Sequence, residues 1–257
     1  MRRKFTLNPA LEGQKDDEKS PEVKKIEGYL KDLNGKASNA CQRYAVALEL
    51  KFRGQSKDVK AVSSPLHHVF DVPVGGAYPL QNWCMFKNAK FTEIKGDPLT
   101  SIENTMKGWG DGARAICALT WKSGRGHVFN LINVKGEIWL ADASANRLKL
   151  VKDSKYVKDE TDGGKSLGLI RTDKGSPDKD MIDATFDDDF KCVVTRDKDN
   201  TTPKTKFQSI LAALNPMGVK GETYSIRVGD KTIGKVKCKD VADTYGSDIK
   251  IWDYSWV

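Results

Sequence analysis

Apolar residues in this chain recur with two different periods, and the change between them outlines the architecture. After a polar N-terminal stretch containing Gly13 and Pro21, Val23, Ile26 and Leu30 fall at i, i+3 and i+7. That spacing predicts a short helix opened by Pro21 and ended at Asn34-Gly35. The strongest helix signal follows over residues 38–54. Ser38 and Asn39 are residue types that cap helix N-termini, Lys51 and Arg53 sit in the last turn, and Gly54 stops it. Apolar positions wrap most of this cylinder, which predicts a helix buried on most sides, with Cys41 in its first turn. Prolines 65, 73 and 79 with Gly75-Gly76 mark a loop. Asp97 and Pro98 then open a second helix whose Ile102, Met106 and Trp109 share one face.

Beyond residue 112 the period shortens to two. Strands are expected over 113–121, 127–132 and 137–141, with a hairpin turn at 133–136, and again over 167–171 and 190–195. A late helix carries Phe207, Ile210, Leu211 and Leu214, ended by Asn215-Pro216. Strand patterns return over 223–228, 232–238 and 249–256, and the polar stretch 197–206 reads as a linker. The pattern predicts an α+β protein divided into a flexible N-terminal arm (1–24), a main domain (25–184) and a smaller α+β C-terminal module (185–257).

Composition narrows the class. A chain of 257 residues is long enough to bury a core without disulfides or a structural metal. No apolar run approaches the roughly eighteen residues a membrane-spanning helix requires. The basic start Met1-Arg2-Arg3-Lys4 is not followed by an apolar stretch, so it does not read as a secretory signal. The protein is expected either to act in a cytosol or to travel by a route other than general export. Its net charge of +8 comes from lysines interleaved with acids. That is the mark of a solvated surface, and no zinc finger, RNP-type motif or basic helical stripe points to nucleic acid. Cys41, Cys84, Cys117, Cys192 and Cys238 include no CxxC pair, and His67-His68 lie far from any of them, so neither metal nor cofactor is expected. The glycines around Trp109 lack the Lys-Ser/Thr of a phosphate loop.

One cysteine stands apart by position. Unpaired N–H groups and the positive end of the helix dipole stabilise a thiolate, so a cysteine in a first helical turn is either a small buried residue or a nucleophile. The hairpin bears on the choice. His127 opens one strand, Asp142 closes the next, and the turn lies midway, which predicts two side chains nearly opposite each other on one face. A carboxylate there holds an imidazole by one nitrogen and leaves the other for a thiol. The alternative is a hairpin with an exposed histidine and an aspartate that starts a turn.

Three segments together resemble the papain-fold toxins, the glutamine-deamidase-type domains of bacterial polymorphic toxins and some phage head-associated proteins. Residues Asn39-Ala40-Cys41-Gln42-Arg43 through Arg53-Gly54 look like the family's nucleophile helix. Trp109-Gly110-Asp111-Gly112-Ala113-Arg114-Ala115 resembles its tryptophan–glycine turn. Gly126-His127-Val128-Phe129-Asn130 with Ala141-Asp142 looks like its histidine-to-aspartate hairpin. Ala40 stands where the family usually has asparagine, and Ala143-Ser144 where it commonly has Pro-Gln. The resemblance implies a papain-like cysteine hydrolase fold, with the nucleophile helix packed on a twisted antiparallel sheet. It further implies a Cys41–His127–Asp142 triad acting on the side-chain amide of a glutamine in a protein target. Asn39 and Gln42 are then candidates for oxyanion or substrate binding, and Trp109 for a wall of the cleft. Arg114 suits either an ion pair or a substrate contact. A protease of the same fold, or a virion-associated protein carrying the domain as a passenger, are the alternatives. The C-terminal module would bind an immunity protein, a delivery apparatus or a capsid.

Overall fold

The computed structural model describes residues 19–37, 40–60, 85–121, 126–152, 164–186, 192–200, 218–228, 231–245 and 249–256. Helix α1 spans Pro21–Leu33; Ser20 caps it by accepting a hydrogen bond from the Val23 N–H, and Asn34 in the left-handed region closes it. The helix begins at Pro21, so the last four residues of the expected arm form its first turn. Val23, Ile26 and Leu30 are its buried stripe, as their spacing predicts. Helix α2 is Cys41–Phe52, and every residue from Gln42 to Leu50 is buried. Gly54, with φ of 71°, lets the chain leave it. The loop expected around Pro65 to Pro79, His67-His68, and the helix expected over 207–214 lie outside the described residues.

Helices α1 and α2 cover one face of a six-stranded antiparallel sheet. Its strands are β2 (Lys90–Glu93), β3 (Arg114–Trp121), β4 (Gly126–Val134), β5 (Glu137–Asp142), β6 (Arg147–Leu150) and β7 (Gly164–Arg171), in the order β2-β7-β3-β4-β5-β6. Strands β3 to β6 form a meander, and β7 returns to pair with β3. Period-two alternation sorts the two sides. Ile132, Trp139 and Ala141 pack with Tyr44 and Leu48 of α2, while Phe129, Leu131 and Leu140 pack with Ile102 and Met106 of α3 (Pro98–Trp109). Two covered faces explain why β4 and β5 read as nearly continuous apolar runs. Asp97 caps α3 by accepting from the Thr100 N–H at 2.9 Å.

The hairpin differs in detail from its expectation. Val134 pairs with Glu137, so the loop is only Lys135-Gly136, with φ of 53° and 88°, the two left-handed residues of a tight hairpin turn. The centre of symmetry therefore lies one residue later than a turn over 133–136 implies. Continuing the register, Asp142 comes opposite Phe129, diagonal to His127 rather than facing it. A shift of two residues keeps both on the same side of the sheet.

Short elements escaped the sequence pattern. Phe86–Lys87 (β1) pairs with Ser176–Pro177 (β8), and α4 (Lys179–Phe186) contacts α2. A second antiparallel sheet, in the order β12-β11-β10-β9, holds β9 (Cys192–Arg196), β10 (Thr223–Val228), β11 (Lys231–Tyr245) and β12 (Ile249–Trp256). Strand β11 runs past the expected 232–238 because register shifts after Cys238 and Val241 absorb its irregular pattern. No helix among the described residues is long and apolar enough to cross a membrane.

Candidate active site

Cys41 is the first residue of α2, and the helix start there is bare. Ala40 occupies the cap position with no side chain to offer, although its carbonyl accepts from the Tyr44 N–H at 2.9 Å. The cap residue thus supplies no side-chain acceptor to the first-turn N–H groups, the positive end of the helix dipole. Two buried contacts fix the helix over the sheet. Asn130 of β4 donates from Nδ2 to the Ala45 carbonyl at 3.0 Å, one turn below Cys41. The Tyr44 hydroxyl accepts from the Ala37 N–H at 2.9 Å and ties down the approach to the helix.

At the start of β4, His127 Nε2 lies 2.8 Å from Asp142 Oδ2. The Cys41 thiol lies near enough to the ring to raise its affinity for a proton, and with Nε2 engaged by the aspartate it is Nδ1 that is left for the sulfur. Phe129 supports the imidazole, with ring centroids 5.9 Å apart. The histidine side chain is 15% exposed and Asp142 only 1%, so solvent and substrate reach the imidazole but not the carboxylate. Burial pushes the His127 pKa down. Donation to Asp142 and to Cys41, with the negative charge of both partners, outweighs burial and raises it to about 10. At neutral pH the imidazole carries its proton.

Asp142 is itself fixed. Its Oδ1 accepts from the Ser144 hydroxyl at 2.6 Å, the Ser144 N–H at 3.0 Å and the Ala145 N–H at 3.2 Å. Gly35 presses against the same turn: a Cβ there would fall 2.2 Å from the Ala143 carbonyl oxygen. The sequence reading overlooked Ser144 and Gly35. An aspartate followed two residues later by serine is a turn signal that points to the first, whereas Gly35 looked only like a helix stop.

The other site candidates separate. Gln42 follows Cys41 in the first turn and is buried, whereas Asn39 lies outside the described residues. Trp109 is not brought to the thiol. It ends α3, where the Arg171 guanidinium lies 5.2 Å above its ring and donates to its carbonyl at 3.2 Å. Asn133 holds the neighbouring Gly110 carbonyl at 2.8 Å, and six strand residues at about 3.3 Å each separate Asn133 from His127. The glycine turn after Trp109 is structural: Asp111 Oδ1 accepts from the N–H groups of Gly112 and Lys135 and clasps the β4–β5 hairpin. Arg114 is an ion-pair residue, gripping Glu49 at 2.9 and 3.1 Å. Cys117 is fully buried, and burial pushes its thiol pKa up, so it stays a neutral core residue.

A helix carrying a cysteine at its N-terminus, set against the histidine and aspartate of an antiparallel sheet, is the papain-like α+β arrangement. Residues 39–146 match the model of the family described as papain fold toxin 1, glutamine deamidase. The resemblance read from three short motifs therefore stands on a continuous stretch that contains α2, the hairpin and the aspartate turn. A comparison with curated proteins finds no match.

Proposed function

We propose that this protein is a cysteine amidohydrolase that deamidates a glutamine side chain of a protein target through Cys41, His127 and Asp142. The single observation that carries the reading is His127 bound to Asp142 at 2.8 Å beside the Cys41 thiol, at a helix start without a side-chain cap. The Cys41 thiolate attacks the carboxamide carbon, and the negative charge that develops on its oxygen faces the positive end of the α2 dipole, where Ala40 offers no side-chain cap. His127 passes its proton to the departing nitrogen, the C–N bond breaks, and ammonia leaves a thioester on Cys41. Water, deprotonated by His127, then attacks the thioester, releasing a glutamate side chain and restoring the thiol. The net change is carboxamide plus water to carboxylate plus ammonia. Asp142 keeps the imidazole edge-on to the sulfur throughout.

The second sheet, Cys192–Trp256, is assigned here to an accessory module that engages a partner, with an immunity protein the kind that a toxin family suggests. The test of the catalytic reading is intact-mass analysis of candidate target proteins incubated with the chain, alongside an ammonia assay. Wild type should produce the small mass gain of amide-to-acid conversion together with ammonia, and Cys41→Ala neither. Two shorter fragments would instead assign a protease of the same fold. Full activity in Cys41→Ala would overturn the reading.

A further inference from the structure

A carboxylate that orients a catalytic histidine must itself be held, because rotation about its Cβ–Cγ bond would turn either oxygen, or neither, toward the ring. An ionised aspartate only accepts hydrogen bonds. Here the two oxygens divide the work: Oδ2 faces His127 Nε2, and Oδ1 collects three donors from Ser144 and Ala145. Two of those donors are backbone N–H groups that any residues in this turn would supply. The third, at 2.6 Å and the shortest of the set, is the Ser144 hydroxyl, which depends on residue identity. The turn is braced from outside. A Cβ at Gly35 would lie 2.2 Å from the Ala143 oxygen and 2.7 Å from that of Ser144, so the α1–α2 connection touches the aspartate turn backbone to backbone.

We propose that Ser144 is a positioning residue for the triad: its hydroxyl, in a turn braced by Gly35, locks the Asp142 carboxylate so that Oδ2 alone engages His127 and the opposite ring edge meets Cys41. This rests on the catalytic reading above and deepens it. Ser144 acts on the triad through its bond to Asp142.

The test measures the rate of Cys41 alkylation by iodoacetamide as a function of pH. The full-length chain is used, and the Cys41 peptide is followed by mass spectrometry so that other thiols do not intrude. In wild type, alkylation of Cys41 should follow a pH profile that Asp142→Asn changes, with a slower reaction at neutral pH in the variant. Ser144→Ala should slow the neutral-pH reaction about tenfold, the scale of losing one hydrogen bond to a charged group, and move the profile toward that of Asp142→Asn. Ser144→Thr, which keeps the hydroxyl, should restore both. If Ser144→Ala does not fold, Ser144→Cys, similar in size with only a weak donor, takes its place with the same expectation. A Ser144→Ala profile identical to wild type would overturn the proposal and leave the catalytic reading intact, even if thermal stability fell. A Cys41 profile indifferent to Asp142→Asn would overturn both.

Discussion

The two ends of α2 both carry buried ionisable side chains, yet they are built for opposite purposes. At the C-terminal end, Glu49 is fully buried and both of its oxygens are occupied, by Arg53 at 2.9 Å and by Arg114 at 2.9 and 3.1 Å. Phe86 and Phe52 stack on those two guanidinium groups at 5.5 and 5.1 Å, and Arg53 continues to the Thr172 carbonyl at 2.6 Å. This end is closed. At the N-terminal end, Cys41 and His127 are partly exposed, the helix has no side-chain cap, and only Asp142 is fully enclosed. The lesson is that burial and charge alone do not mark a site. What separates the ends is whether the ionisable groups are sealed by their partners or stay partly exposed.

The sharpest way to break the comparison is to remove one group from each end. Cys41→Ala or His127→Ala should lower amidohydrolase turnover at least ~10³-fold, as expected for groups that act as one unit, and Cys41→Ala should leave the urea midpoint close to wild type. A large loss of stability instead would make the N-terminal end structural. Glu49→Ala reverses the pattern. It strands two arginines in a largely buried setting and should cost about 3–5 kcal/mol in chemical denaturation. Turnover of the fraction that stays folded should change little.

A smaller effect is expected from Gly35→Ala. The added methyl must displace the Ala143 carbonyl, so stability should fall by about 1–3 kcal/mol. Turnover should fall as well, because the same turn carries Asp142. Stability loss with unchanged turnover would separate the turn from the chemistry.

The mildest probe is pH. His127 holds its proton up to about 10 in the folded chain, against 6.5 for an ordinary histidine. Its contribution to stability is therefore complete below about 6.5 and is lost progressively as pH rises toward 10, because the folded state binds the proton that the unfolded state has released. Denaturation curves across that window should show a decline that His127→Gln flattens. Turnover should fall over the same alkaline range as the imidazole loses the proton that ammonia departure requires. A stability decline of wild-type size in the variant would place the titration elsewhere.

Much of this was legible in the residue pattern, and the reason is local. Val23, Ile26 and Leu30 declare α1 by spacing, Asp97-Pro98 declares the start of α3, and the alternation around Gly136 declares the hairpin. The same pattern placed Cys41 in a first turn and His127 and Asp142 at strand ends. It mis-centred the hairpin by one residue, because a two-residue turn with Lys135 in the left-handed region leaves no composition signal that distinguishes it from a longer one. Strands as short as β2 and β6, and the eight-residue α4, carry too few positions for a period to emerge.

The sequence by itself determined the longer elements and singled out Cys41, His127 and Asp142 as candidates, because each signal lies within a few residues of chain. Tertiary structure decided what those side chains meet. Trp109 and Arg114 sit in a motif as suggestive as the hairpin, but packing sent Trp109 to a cation–π contact with Arg171 and Arg114 to an ion pair with Glu49. Packing also brought Gly35 against the turn that carries Ser144, a contact across more than a hundred residues that no local pattern encodes. Hydrogen bonds and van der Waals contacts act over a few ångströms of space rather than of chain, and only the folded sheet sets which residues lie within that reach.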